Sequence, residues 1–258
     1  MRRFLTILCA AAVVLASSFA FAAEGNAGDE GAAAAQFRPR PVSNGDPHFA
    51  VGVKVGTLGI GVQVGTALGS RINLRGGANF FNYKDSLTED GVVYNGTLQL
   101  RSVEAKLDLF VLGGFRVTPG LLLYNDNNVT ATASVPNGTS VTFNGTRYTS
   151  NPADPLRGTA AITFNKFAPT IGIGFGNMLP RSNRHWSLST DLGIAFSGSP
   201  QFGLGLTGSA CVNGTICQPV ATTPSVAANV EAERVKIQND LKDFKYYPEI
   251  SVMFGWKF

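Results

Sequence analysis

Few residues in this sequence have the types and spacing that catalysis or metal binding requires. The two histidines, His48 and His185, cannot form a multi-histidine metal site within one chain. His185 stands two positions before Ser187, so in a strand both side chains point to one face, which Asp191 shares. A histidine beside a serine can activate the hydroxyl as a nucleophile. No GxSxG, Walker or dinucleotide motif lies in a suitable strand–turn–helix setting, and no cofactor is expected.

A larger set of charged residues lies opposite apolar residues in segments of alternating character. Its members are Lys54, Arg75, Glu104, Lys106, Asp108, Arg116, Lys166, Asp191 and Glu249. Because both signs are present, these side chains can satisfy one another as a paired network in a narrow interior. The alternative is that they line a small conducting path. The elements that carry them therefore decide their role.

Apolar residues alternate with polar or small residues along most of the chain from His48 onward. This period of two is typical of strands with one apolar face. Eight such segments can be counted, and their apolar faces begin at Phe49, Ile60, Ile72, Val103, Phe115, Phe167, Trp186 and Ile250. The alternation breaks where Leu98 and Leu100 oppose Val103, and where Ile162 and Phe164 oppose Phe167. Each break predicts a bulge or a place where the strand leaves the membrane and its faces exchange environment.

Two polar stretches and one helix separate these segments. KDSLTEDG after the third segment is predicted to be a loop, and the Thr/Asn/Gly-rich residues from about 125 to 158 are too many for a turn. Thr223 and Pro224 form a plausible helix start. Apolar residues then recur at helical spacing to Phe244, which predicts a helix over about 224–244. Such a helix either packs against the barrel rim or neighbouring loops, or covers the barrel mouth or contacts a partner.

The N-terminus has the features of a secretory signal peptide. Arg2 and Arg3 precede a short apolar run, and a small-x-small pattern ends at Ala22, which predicts a signal peptide over 1–22. Residues 23–47 carry no period and are predicted to be a flexible periplasmic tail before a barrel at 48–258. The formal charge of +4 includes both arginines, and what remains is too weak to indicate nucleic acid as a partner.

The cysteines fit an exported protein. Cys9 lies in the apolar run after Leu8, a bulky residue that is unlike a lipoprotein attachment site, and it is expected to leave with the signal peptide. Cys211 and Cys217 remain in the segment CVNGTIC, and export predicts a disulfide between them. Two unpaired thiols are the alternative.

The chain ends on alternating apolar residues with a terminal aromatic. These residues are Ile250, Val252, Phe254, Trp256 and Phe258. With this ending, VMFGWKF, and the alternation before it, the chain resembles small bacterial outer-membrane β-barrel proteins of the porin-like, eight-stranded class. The resemblance implies an all-β fold: a closed antiparallel transmembrane β-barrel of about 8 strands, with long extracellular connections and one amphipathic helix before the last strand. It also implies that the ending is the signal read by the barrel-assembly machinery.

The resemblance places both chain ends in the periplasm and most of the extra sequence at the cell surface. We therefore expect an outer-membrane protein, in contact with outer-membrane lipid, with a structural or surface-interaction role and an extracellular ligand of unknown identity. A narrow channel or carrier for small solutes is the alternative. The pair His185 and Ser187 resembles the His-x-Ser of barrel lipid A deacylases, but this topology puts it at the periplasmic end, so no enzymatic activity is expected.

Overall fold

The computed structural model describes residues 49–180, 184–212 and 216–258. The predicted signal peptide and N-terminal tail, together with His48, lie outside the described residues. Among the described residues, no helix combines the length and apolar character needed to cross a bilayer.

The described residues form fifteen strands, a short 3-10 helix and one α-helix. The strands are β1 (Phe49–Gly56), β2 (Gly59–Gly69), β3 (Ile72–Glu89), β4 (Val92–Leu112), β5 (Phe115–Asn125), β6 (Asn128–Ser134), β7 (Ser140–Phe143), β8 (Thr146–Ser150), β9 (Arg157–Thr163), β10 (Ala168–Phe175), β11 (Trp186–Ala195), β12 (Gln201–Thr207), β13 (Ser209–Val212), β14 (Ile216–Pro219) and β15 (Tyr247–Lys257). The 3-10 helix is Val220–Thr222, and α1 is Pro224–Leu241.

Eight strands, here called the wall strands, pair with one another in antiparallel fashion. They are β1, β2, β3, β4, β5, β10, β11 and β15. β1 pairs with both β2 and β15, and β4 pairs with β5 as well as with β3. β5 then pairs with β10, β10 with β11, and β11 with β15. The result is a large antiparallel sheet that curves into at least part of a ring.

Strands β3 and β4 are longer than predicted. The expected loop KDSLTEDG is mostly strand, because β3 and β4 stay paired without a register shift from Ile72 and Leu109 to Glu89 and Val92. The turn lies at Asp90 and Gly91, which both have positive φ angles. Apolar alternation cannot find this part of the hairpin, since the backbone ladder continues there with mostly polar side chains.

The break in alternation at Leu98 and Leu100 is a change of environment. Leu100 is buried on the same face of β4 as Ser102 and Glu104, with no bulge against β3. A register shift does occur between β4 and β5 at Val103 and Glu104. The second break lies where one strand stops and another starts, since β9 ends at Thr163 and β10 begins at Ala168.

The remaining elements form an outer lobe, which consists of β6 to β9, β12 to β14, the 3-10 helix and α1. β6 pairs with the outer half of β4, and β9 and β12 extend this sheet. β14, β13, β8 and β7 form a second sheet. The lobe has an apolar core of Val92, Val135, Tyr148, Leu156, Ala210, Val220 and Val226. The Thr/Asn/Gly-rich stretch 125–158, which is too long for a turn, thus contains three complete strands.

Helix α1 packs on strands of the outer lobe. The side chain of Gln238 accepts a hydrogen bond from the backbone N–H of Phe202 in β12 at 2.8 Å. Asn229 donates to the hydroxyl of Tyr148 in β8 at 2.7 Å. The helix ends at Leu241, short of the predicted 244, and Phe244 lies beyond it with an exposed side chain.

Candidate functional site: the interior of the wall

The wall strands bury polar side chains and expose apolar ones. On β1, Val51, Val53 and Val55 are exposed while Lys54 between them is 1% exposed. In a soluble protein this distribution would be reversed, because burial of an unpaired charge is costly and exposure of a continuous apolar face is unfavourable in water. We call the charged side of the wall its inward face and the apolar side its outward face.

Glu104 is the centre of one group of ions on the inward face. Lys54 pairs with its carboxylate, and Gln63 donates a hydrogen bond to it at 2.5 Å. The Lys106 Nζ atom lies 3.3 Å from Glu104 and 2.6 Å from Glu249. Strand register brings these residues together, since the even positions of β4 face inward and β15 supplies Glu249.

Two arginines and two aspartates form the second group. Arg75 contacts Asp108 at 2.7 Å and Asp191 at 3.0 Å. Arg116 contacts Asp191 at 2.6 Å and Asp108 at 3.3 Å. Each arginine therefore bridges both carboxylates. All four side chains are at most 7% exposed.

The structure brings together eight of the nine residues predicted for the lumen. The two groups contain four cations and four carboxylates, so their formal charges cancel. We call these eight residues the inward network: Lys54, Arg75, Glu104, Lys106, Asp108, Arg116, Asp191 and Glu249. Lys166 was wrongly placed by the alternation, because β10 begins only at Ala168 and Lys166 is exposed in the connection before it.

Uncharged polar residues complete the inward face. Gln63 donates to Glu104 and accepts a hydrogen bond from Arg75 at 3.1 Å, which links the two groups. The Thr118 hydroxyl lies 3.3 Å from Asp108. Neither was among the predicted network residues, because they are uncharged, although both occupy inward positions between apolar neighbours.

Apolar layers lie at both ends of the inward network. At the end where β1 begins, Met178 and Leu179 from the connection between β10 and β11 pack on Ala50 and Met253. At the opposite end, Leu58 packs with Leu122, Ala168, Ala195 and Tyr247. The network is thus bounded by apolar side chains along the axis of the wall.

One small cavity lies beside the ions. A cavity of about 10 Å³ is lined in part by Lys106, Thr118, Asp191 and Glu249. This volume accommodates the centre of about one water molecule. One Glu249 carboxylate oxygen lacks a hydrogen-bond partner among the described residues. A single water could therefore occupy this place.

His185 and Ser187 make separate contacts. The Ser187 hydroxyl donates to the carbonyl of Met178 at 3.1 Å. The His185 ring stacks on Trp256, with centroids 5.6 Å apart, and its Nδ1 atom lies 3.2 Å from the carbonyl oxygen of Lys257. Asp191 belongs to the inward network. The sequence neighbours that suggested nucleophilic chemistry thus serve different contacts.

The cysteines and the C-terminal residues occupy defined positions. Cys211 and Cys217 form a disulfide between directly paired positions of β13 and β14 in the outer lobe. The residues proposed as the assembly signal are exposed on the outward face of the wall: Ile250, Val252, Phe254, Trp256 and Phe258. Reading of this ending by the assembly machinery remains a prediction.

Comparison with known proteins identifies a shared fold. No family model matches the chain, and no curated protein matches it. A crystal structure of Acinetobacter baumannii CarO is similar, with a TM-score of 0.52 and 23% identity, covering 82% of this chain and 98% of the CarO chain. A crystal structure of Acinetobacter baumannii CarO2 gives 0.52 and 21%, covering 83% of this chain and 100% of that one.

Proposed function

We propose that this chain is an integral outer-membrane protein, in which the eight wall strands close into a transmembrane barrel that does not conduct solutes. The outer lobe then has a structural or surface-interaction role at the cell surface, without enzymatic activity. The apolar outward face and charged inward face support this proposal. The likeness to CarO, an outer-membrane β-barrel protein, supports it as well.

The strand pairings and the physics of a lipid surrounding support the proposed closure of the wall. Each wall strand has an antiparallel partner on both sides within the set of eight. In lipid, an unpaired strand edge would leave backbone N–H and C=O groups without partners, at several kcal/mol each. A wall with an apolar exterior is therefore stable in a bilayer only as a complete ring.

The observation that carries the non-conducting role is the apolar layer at each end of the inward network. Met178 and Leu179 belong to one layer, and Leu58 and Leu122 belong to the other. Between them the ions neutralise one another, and the cavity beside Lys106 and Glu249 has room for about one water molecule. An ion entering this interior would have to break buried pairs and displace apolar side chains.

Planar-bilayer recording tests this proposal. The refolded protein should show heat-modifiable migration, which reports barrel formation, and no steady unitary conductance. A variant with Met178→Gly and Leu179→Gly serves as a positive comparison, since it opens one apolar layer while the wall is intact. Steady single-channel currents from the unmodified protein would refute the sealed barrel, and absence of heat-modifiable migration would refute the barrel itself.

A narrow channel is the second candidate. It is favoured by the unpaired Glu249 oxygen and the water-sized cavity next to Lys106, which are polar features inside the wall. In this case Glu249→Gln should change the conductance or ion selectivity of the protein. A current that is present but insensitive to this substitution would indicate a path elsewhere.

We also propose that Phe258 belongs to the signal read by the barrel-assembly machinery. Phe258→Lys should leave processed, uninserted protein that periplasmic proteases degrade. Phe244→Lys is a suitable control, since Phe244 is also an exposed phenylalanine but lies in the outer lobe's connection to β15. Equal yields of inserted Phe258→Lys and control protein would contradict this role.

A further inference from the structure

The sheet formed by β3, β4, β6, β9 and β12 has an outward side that changes from apolar to polar at one level along the strands. On β4 the outward residues are apolar up to Val103, and the next one is Arg101. On β3 they are apolar up to Phe80, which pairs directly with Arg101, and Asn82 follows. The switch thus occurs at the same height on both strands.

Beyond this level the sheet presents what we call the polar outer face. It comprises the side chains that point outward from the five strands. These are the even-numbered residues of β3 from Asn82 onward and of β6, and the odd-numbered residues of β4 up to Arg101, of β9 and of β12. Directly paired residues share a face, so the five strands form one surface. Most of its side chains are threonine, serine, asparagine or glutamine.

The polar outer face carries positive charge and no carboxylate of its own. Its charged members are Lys84, Arg101 and Arg157, and none of them forms an ion pair with another described residue. At its margin, the Asp126 carboxylate accepts a hydrogen bond from Gln99 at 3.4 Å, and the Asp126 backbone N–H donates to the carbonyl of Arg101 at 2.8 Å. A surface with three cations outside any ion pair, and with a carboxylate only at its margin, favours an anionic, hydrogen-bonding ligand.

The direction in which the polar outer face points indicates which part of the surroundings lies beside it. It continues the outward face that Val103 and Phe80 present to lipid, so it points sideways along the membrane surface. The opposite side of the same sheet is covered over part of its width, because Tyr94, Ala133 and Leu206 pack against the apolar core of the outer lobe, while Tyr83 and Leu87 of β3 are exposed there. Given the proposed outer-membrane function, on which this inference rests, the material beside this face is the head group of surrounding lipopolysaccharide.

We propose that the polar outer face binds the phosphorylated carbohydrate of lipopolysaccharide. Arg101 lies at the edge of the apolar wall, where the lipid-anchored phosphates are. At about 3.3 Å per residue, Lys84 lies roughly 13 Å farther along the strands and Arg157 roughly 26 Å. The hydroxyl and amide side chains between them, such as Thr130 and Thr132, provide donors and acceptors for sugar hydroxyls.

Calorimetric titration of the folded protein in neutral detergent tests this assignment. The unmodified protein should bind purified lipopolysaccharide more tightly than phosphatidylglycerol, an anionic lipid without the carbohydrate. The combined variant Lys84→Gln, Arg101→Gln, Arg157→Gln should lose about 10- to 100-fold in affinity for lipopolysaccharide. Thr130→Glu, which places a carboxylate at an exposed position on the face, should also weaken binding.

A matched control has the same change in charge at exposed positions outside the polar outer face, in α1 and directly after it: Lys236→Gln, Lys242→Gln, Lys245→Gln. It should bind lipopolysaccharide like the unmodified protein. An equal loss in the control, an unchanged affinity in the face variant, or equal binding of phosphatidylglycerol would overturn the inference.

The outcome is separable from the proposed function. Heat-modifiable migration and insertion into neutral phospholipid vesicles are measured first on every variant. If the unmodified protein does not insert, the outer-membrane barrel is refuted. If it inserts but shows no preference for lipopolysaccharide, only the assignment of the polar outer face fails.

Discussion

The wall and the outer lobe are two parts of one chain with opposite interiors. The wall buries ions such as Arg75 and Glu104 and exposes valine and phenylalanine. The outer lobe buries Val135 and Leu156 and exposes mainly polar side chains. Both have paired backbones and filled interiors, so the difference lies in the surroundings. An apolar exterior is favourable where lipid is the solvent, and a polar exterior where water is.

Strand β4 makes this comparison within a single element. Its inward face carries Asp108, Lys106 and Glu104 along the wall, then Leu100 and Val92 toward the outer lobe. Successive side chains keep pointing to alternate faces of β4 across the change, so one backbone geometry serves both regions. Four sets of substitutions test this difference between the wall and the outer lobe, from the largest expected effect to the smallest.

Removal of one cation from the inward network should have the largest effect. Arg75→Met leaves Asp108 and Asp191 with Arg116 alone, and breaking a buried ion pair costs about 3–5 kcal/mol. Urea titration of the protein refolded in neutral lipid vesicles measures this loss. Arg71→Met is the control, since Arg71 is exposed four positions earlier and should cost little. If Arg75→Met lowered the stability as little as Arg71→Met does, the wall interior would tolerate unpaired charge.

Truncation of a buried apolar side chain should affect the outer lobe alone. Leu156 is 0% exposed in the core of the lobe, and Leu156→Ala should destabilise it by about 2–5 kcal/mol. Limited proteolysis of the vesicle-bound protein should then cleave the lobe faster, while the wall keeps its heat-modifiable migration. Concerted loss of both would show that the two regions unfold as one unit.

A new arginine on the outward face of β4 should distinguish lipid from water as the surroundings. Leu107→Arg should cost about 2–4 kcal/mol, provided that Leu107 lies near the bilayer midplane. Thr97→Arg, on the same face of the same strand but in the polar outer face, should change stability by less than about 0.5 kcal/mol. Refolding yield into vesicles ranks the two variants. The reverse ranking would exchange the inward and outward faces of β4.

Loss of the disulfide should have the smallest effect, confined to the outer lobe. Cys211→Ser with Cys217→Ser opens a short loop, and chain entropy predicts a loss of about 2 kcal/mol in the lobe. Protease resistance of the lobe should fall and that of the wall should not change. Thiol labelling of the unmodified, denatured, non-reduced protein should find neither cysteine. Labelling of both cysteines would show that the disulfide does not form in the exported protein.

Sequence predicted the wall better than the outer lobe, for a physical reason. In the wall, apolar side chains on one side and ions on the other give each strand a strong alternation, so Glu104, Lys106 and Asp108 could be assigned to one face. Lys166 was misplaced because alternation does not reveal where a strand starts. The wall's apolar end layers were not predicted, since Met178 lies in a connection and its burial depends on distant Ala50 and Met253.

The outer lobe was largely missed because its strands carry weak alternation. Threonine and asparagine occupy the exposed positions, and the buried partners come from distant segments, as with Val135 and Val226. The helix was found by its spacing, but its end and packing were not. Contacts such as Asn229 with Tyr148 join residues far apart in sequence and leave no local pattern.

The position of Glu249 on the last strand has a consequence for the order of folding. Until β15 docks between β1 and β11, Lys106 lacks its Glu249 partner and both neighbouring strands have an unpaired edge. Charge neutralisation and edge pairing are therefore completed in the same event. A nearly finished intermediate carries an excess cation and open hydrogen-bonding groups, so it is much less stable than the finished wall. Insertion should consequently be cooperative, with the C-terminal strand as its committing step.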